Sequence, residues 1–323
     1  MQVVTYGEAE SFLRDSQTEL EKREAEHNLI LGLALGLRGS QPVTENASFF
    51  ARVQDTQGLL VAALMTSSNS PLVLSTIRPD GDQALALIIG HLIASEVTLS
   101  GVVGPNGVSK LFAQRWSRVS GQPAQMGMRQ RLYKLTHICE VPIPSGEFRR
   151  ARNEHHEVVG RWIAAFNAEA LQEGATEEAG KAAKQRIDRG EIYLWEDSEP
   201  RSMAAHTRTT SHGIAINAVY TPPEWRRQGL ATACVARLSE YLLNSGYSFC
   251  VLFTDLANPT SNSIYQRIGY QPVGDFAMYR FGERSCSHRQ ASNDTRGLSR
   301  LCEQVRRRRN LRSALILING SGQ

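Results

Sequence analysis

Between Gly213 and Gly246 the chain reads as a β-strand, GIAINAVYT, that passes through two prolines and a short basic glycine turn straight into a helix. Ala231, Val235, Leu238 and Leu242 recur at helical spacing and give that helix one apolar face, which stops at Gly246. A strand joined so tightly to an amphipathic helix must pack the helix against its own sheet. The region reads as part of an α+β lobe.

At 323 residues the chain is about twice the usual length of one domain, so two domains are expected. Hydrophobic residues make up 41% and charged residues 21%, which excludes collagen-like and wholly disordered chains. The longest apolar stretches, Leu29 to Leu37 and Leu85 to Ala94, fall short of the roughly 20 residues a membrane span needs. The opening MQVVTYGEAE lacks the basic and apolar regions of a secretory signal, so a cytoplasmic protein without a membrane partner is expected. Cys139, Cys234, Cys250, Cys286 and Cys302 are odd in number and show no ligand spacing, which favours free thiols and no metal.

The net charge of +4 raises the question of nucleic-acid binding. Residues 282–323 hold nine arginines against three acids, so the first 281 residues carry −2. The folded body is mildly acidic, which argues against a nucleic-acid partner. The tail 282–323, including the run Arg306 to Arg309, reads as a disordered basic extension.

The first 40 residues read as helix, followed by β-like SFFARVQ, GLLVAALMT and PLVLST, a helix, the short strand GVVG, a helix, and strand-like MRQRLYKLTHI. VPIPSG, Val141 to Gly146, reads as a linker. The second half begins again with helices, on a Val158, Trp162, Phe166 stripe and then a polar helix from about Thr176 to Gly190. Strands IYLWED, SMAAHTRT and GIAINAVYT, the long helix, strand SFCVLFTD, helix PTSNSIYQRIG and a strand pair around QPVGDFAMYRF complete it. Both halves share one order of elements. The fold class is α+β, two tandem lobes at 1–143 and 147–281, each a central mixed sheet flanked by helices. His155 and His156, at a helix start, read as solvated.

The chemistry is concentrated in Val219 to Ala231, VYTPPEWRRQGLA. First-turn amides of a helix lack intrahelical partners and carry the positive end of its dipole, which suits a phosphate. Gly229 and Ala231 allow close approach, and Arg226 and Arg227 add charge. By itself such a turn is equally a basic loop before a surface helix. Further on, Asn258 precedes Pro259 as a helix cap, Tyr265 follows seven residues later, and Gly269 and Tyr270 end the helix. In isolation Asn258 reads as only a cap and Tyr265 as a core aromatic.

Together these stretches resemble the GNAT superfamily of acyl-CoA-dependent N-acetyltransferases. Arg226, Gly229 and Ala231 fit its pyrophosphate motif, and Asn258, Ser261, Tyr265, Gly269 and Tyr270 fit its later motif. The resemblance covers 147–281; the first half shares only the element order and looks like a degenerate lobe that would wall the acceptor pocket. The resemblance implies acetyl-CoA as co-substrate, no metal, and transfer to a primary amine of a small molecule by direct attack in a ternary complex. Backbone groups on Val219, Tyr220 and Thr221 would pair with the pantetheine arm beside a splayed strand. The amides of Arg227, Gln228, Gly229, Leu230, Ala231 and Thr232 would hold the pyrophosphate. Asn258 would bond the pantetheine chain, and Tyr265 would act as general acid towards the departing thiolate.

The chain departs from the family where many members carry a glutamate, having Asn217 on one strand and Phe253 on the next. Asp255, His206 or a water chain are left as candidates for the base. A non-catalytic CoA-binding sensor, or a transferase of another acyl group, remains the alternative reading, and the oligomeric state is open.

Overall fold

The computed structural model describes residues 1–39, 48–68, 70–79, 81–171 and 177–283. The tail expectations beyond Glu283, with Cys286, Cys302 and Arg306 to Arg309, lie outside the described residues, as does Thr176.

The described residues divide into two compact units, one of Met1–Gln130 with Gly274–Glu283, the other of Arg131–Val273. The first contains β1 (Gln2–Tyr6), α1 (Ala9–Glu21), α2 (Glu24–Gly36), β2 (Phe49–Asp55), β3 (Gly58–Met65), β4 (Leu72–Leu74), α3 (Asp82–Ala94), β5 (Gly101–Pro105) and α4 (Asn106–Ser120). β6 (Ala124–Leu135) runs across the division. The second unit continues with β7 (Glu147–Arg150), α5 (His156–Leu171), α6 (Glu177–Asp188), β8 (Ile192–Asp197), β9 (Glu199–Thr207), β10 (Gly213–Tyr220), α7 (Leu230–Asn244), β11 (Phe249–Asp255) and α8 (Pro259–Ile268). The last strand, β12 (Gln271–Phe281), again runs across the division.

The repeated order of elements is present, and each half opens with a strand that the apolar pattern does not reveal. β1 replaces the expected start of a helix because QVVTY pairs antiparallel with β2, where β-branched side chains suit a pleated edge. β7, only four residues long, pairs with β8 from Glu147 to Arg150. The expected strand pair around QPVGDFAMYRF is one eleven-residue strand. VPIPSG is irregular, as its prolines require, but the compact units divide within β6 and β12 rather than at that linker.

In the first unit the strands run in the order β1-β2-β3-β4-β5-β12, and β12 pairs antiparallel with β5 from Phe276 to Arg280. Phe281 joins the core of Trp116, Phe112 and Leu99. On the other side, Phe12 of α1 packs on Phe50 of β2. In the second unit the order is β6-β11-β10-β9-β8-β7. α7 and α8 cover one face through Val235, Leu238 and Ile268. α5 and α6 cover the other through Val159, Trp162 and Ala183.

The two histidines read as solvated are engaged instead. His155 Nδ1 accepts from the Arg152 amide at 2.9 Å, so its Nε2 carries the proton and faces Glu196 at 3.0 Å. His156 Nε2 lies 3.0 Å from the Gly180 carbonyl on α6. Cys139, Cys234 and Cys250 are free thiols, the last two buried. No helix among the described residues is long and apolar enough to cross a membrane.

Candidate active site

β10 and β11 are parallel neighbours from the Gly213–Phe249 pair to the Ile216–Leu252 pair and no further. Beyond that rung β10 continues to Tyr220 and β11 to Asp255 without pairing to each other, so the two strands open a wedge. The cause is local. Between Asn217 and Tyr220, β10 carries one residue more than β9 has opposite it, a bulge with Ala218 at φ 47°. Asn217 and Ala218 consequently share the α5/α6 side, while Val219 packs against the core under α7.

From the open end of β10 the chain passes through a single 3₁₀ turn, Pro223–Trp225, into an exposed loop. Arg227 has φ 63°, and Gly229, at φ 80°, is the N-cap of α7. The carbonyl of Gly229 accepts the first bond of the helix, from Ala233. The amides of Arg227 to Thr232 find no backbone acceptor among the described residues. Six adjacent donors therefore lie between the open end of β10 and the first turn of a fifteen-residue helix, at its positive end. An added Cβ at Gly229 would meet nothing within 4 Å, so glycine is there for its backbone conformation and for access.

The arginines divide. Arg227 is exposed and without an ion-pair partner among the described residues. Arg226, expected to add charge to the turn, is turned onto the Glu169 carboxylate of α5 and stacks over Tyr220, 5.8 Å from the ring centre. Burial, followed by the Glu169 charge, raises the pKa of Tyr220. Thr221 shares a 2.8 Å hydrogen bond with Ser202, which secures the strand end.

On the β11 side, Asn258 caps α8, its Oδ1 accepting from the Ser261 amide at 3.0 Å. The cap leaves its side-chain N–H groups available, so capping and ligand binding are compatible. Tyr265 is buried, 6.0 Å from the Tyr270 ring, and its hydroxyl has no hydrogen-bond partner among the described residues. Burial pushes that phenol up to about 12, which keeps it protonated near neutral pH.

The two base candidates part company. Asp255 ends β11 at the wedge; its Oδ1 accepts from the Ala257 amide at 2.8 Å, which fixes it at the strand end. His206 pairs opposite Ile216, the last rung β10 shares with β11, and is packed beside Arg186 and Gly190; burial followed by the Arg186 charge lowers its pKa to about 4, which keeps it neutral near pH 7.

One arrangement escaped the sequence. Asn217 Oδ1 accepts from Arg186 Nη2 at 2.8 Å, and Arg186 Nε donates to Glu191 at 3.0 Å. The residue types were visible, but partners 31 positions apart carry no local signal. Among the described residues no group of three His, Cys, Asp or Glu side chains could hold a metal ion.

Residues 194–280 match the family model described as FR47-like protein, within the segment that carries both motifs. A tandem GNAT protein from the clavulanic acid biosynthesis pathway is similar over 89% of this chain and 99% of its own, at 13% identity and a TM-score of 0.52. A GCN5-related N-acetyltransferase from Sphaerobacter thermophilus aligns over 86% and 95%, at 14% identity and a TM-score of 0.55. A GNAT-family acetyltransferase from Colwellia psychrerythraea aligns over 87% and 99%, at 13% identity and a TM-score of 0.52. No curated protein sequence matches this one.

The class is thus a mixed α/β fold with a splayed strand pair and a donor-rich helix start. More narrowly, the fold is that of GNAT-family structures, a tandem GNAT protein among them.

Proposed function

We propose that the second unit binds acetyl-CoA and transfers its acetyl group to a primary amine of a small molecule. The observation that carries this reading is the set of six unpaired amides, Arg227 to Thr232, between the open end of β10, where it parts from β11, and the first turn of α7. A diphosphate satisfies such donors at a helix start, and an extended chain can add to the unpaired strand edges behind them.

In the proposed reaction the neutral amine attacks the thioester carbonyl, the C–N bond forms, and the C–S bond breaks. Backbone amides beside the bulge polarise the carbonyl. Tyr265, protonated with a pKa near 12, donates to the sulfur as thiolate develops. The ammonium proton leaves through Asp255, whose Oδ2 has no partner among the described residues, through His206, neutral near pH 7, or through water. Much of the acceleration comes from holding amine and thioester together.

A second reading, a CoA-binding sensor, is favoured by one observation: the family's usual carboxylate positions hold Asn217 and Phe253. Calorimetry with CoA and thiol release from acetyl-CoA with a panel of amines decide between them. Binding with turnover supports the transferase, binding without turnover supports the sensor, and no heat with CoA removes both.

A further inference from the structure

Asn217 is the first residue of β10 past the last rung shared with β11, so it stands at the apex of the wedge. Its orientation follows from chemistry alone. A guanidinium has only donors, so the atom facing Arg186 at 2.8 Å must be the amide oxygen, and the NH₂ group points away from Arg186. That Nδ2 is buried and has no hydrogen-bond partner, in a residue only 7% exposed. Buried donors are rarely left unmatched in folded proteins. Arg186 is itself buried and fixed by Glu191, and its charge polarises the amide and strengthens its N–H groups as donors.

We propose that Asn217 is a substrate-binding residue whose side-chain amide donates to a carbonyl or carboxylate oxygen of a substrate in the wedge, with Arg186 as its positioning residue. The proposal rests on the acyltransferase reading above. A donor-only group cannot bind the acceptor's ammonium, which also only donates, and it cannot serve as the base. Its partner must be an oxygen. Two sources share that chemistry: the acyl-pantetheine of the donor, and a carbonyl or carboxylate beside the amine of the acceptor.

The test is Asn217→Asp, which keeps the shape and still offers Arg186 an oxygen but replaces both donors by an acceptor. The expected result is a fall in kcat/KM of about tenfold or more, the size of one charge-assisted hydrogen bond. If the oxygen belongs to acetyl-CoA, its KM rises and calorimetric CoA affinity falls. If it belongs to the acceptor, the acceptor's KM rises, CoA affinity is unchanged, and the loss shrinks with a matched amine lacking the oxygen. A folded variant with kcat/KM, both KM values and CoA affinity within about twofold of the parent overturns the proposal, even if its melting temperature falls. A gain in rate overturns it too, because the new carboxylate would then be acting as a base. Should Asn217→Asp not fold, Asn217→Ser removes the amide without adding charge and is read by the same comparison. If the parent protein binds CoA without turnover, unchanged CoA affinity in the variant refutes the assignment. A parent with neither CoA binding nor thiol release removes the acyltransferase reading first, and the assignment with it.

Discussion

Arg226 Nη2 lies 2.9 and 2.7 Å from the two carboxylate oxygens of Glu169, while its Nε donates to the Thr221 carbonyl at 2.9 Å. The cation at the start of the basic turn is thus held by the far part of α5. Both side chains are more than 40% exposed, so the pair contributes at most about 1 kcal/mol. A bound diphosphate therefore competes for Arg226 at little cost. Glu169→Gln should tighten CoA binding by up to about fivefold in a calorimetric titration. Weaker binding would show that Glu169 holds the turn in its binding shape.

Gly229 occupies a left-handed conformation that any other residue enters with strain. Gly229→Ala should lower stability by about 1 kcal/mol and set a methyl group among the six amides. CoA affinity should fall by about tenfold or more, a larger loss than the strain accounts for. Parallel melting curves and titrations separate the two effects. Equal affinity would place the diphosphate elsewhere.

Tyr265→Phe keeps the ring that packs on Tyr270 and removes only the hydroxyl. Turnover should drop by about 10²-fold, the lower range for a lost general acid, with CoA affinity within about twofold. If turnover is unchanged, Tyr265 is a core aromatic only.

His206 sets a pH dependence of stability. Its folded-state pKa of about 4 lies below the ordinary 6.5, so the unfolded chain binds more protons between those values. Stability is full above about 6.5 and is lost as pH falls towards 4, by a few kcal/mol at most. His206→Gln should flatten that part of a denaturation-versus-pH curve. An unaltered slope would assign the acid sensitivity to other groups.

Gly101 sits on β5 where an added Cβ would run into the carbonyl oxygen of Tyr279 on β12. Gly101→Ala should therefore force β12 away from β5 and lower the melting temperature by several degrees, as about 1–3 kcal/mol of overpacking does. Gly107→Ala, where a Cβ meets nothing within 4 Å, is the matched control. Equal melting temperatures for both variants would mean that the strand pair adapts without cost.

What was legible in the sequence is what hydrogen bonding and periodicity enforce over a few residues. The Asn258–Pro259 start of α8, the glycine before α7 and the apolar face of α7 are all of this kind. The short strands β1 and β7 were not legible, because four or five residues hold too few alternations and owe their form to the neighbour they pair with. His155 and His156 looked like surface histidines for the same reason; their partners, Glu196 and Gly180, lie far along the chain.

The chain's own pattern of residues determined the order of the helices and of the longer strands, the strand–turn–helix join and the donor-rich start of α7. Tertiary structure alone decided that β12 completes the first unit's sheet, that β10 and β11 separate after Ile216, that Arg226 faces Glu169, and that Arg186 orients Asn217. The physical reason is range. A turn or cap is stabilised by atoms within one helical turn, whereas a strand register or a buried polar contact is chosen only when distant segments meet and exclude water.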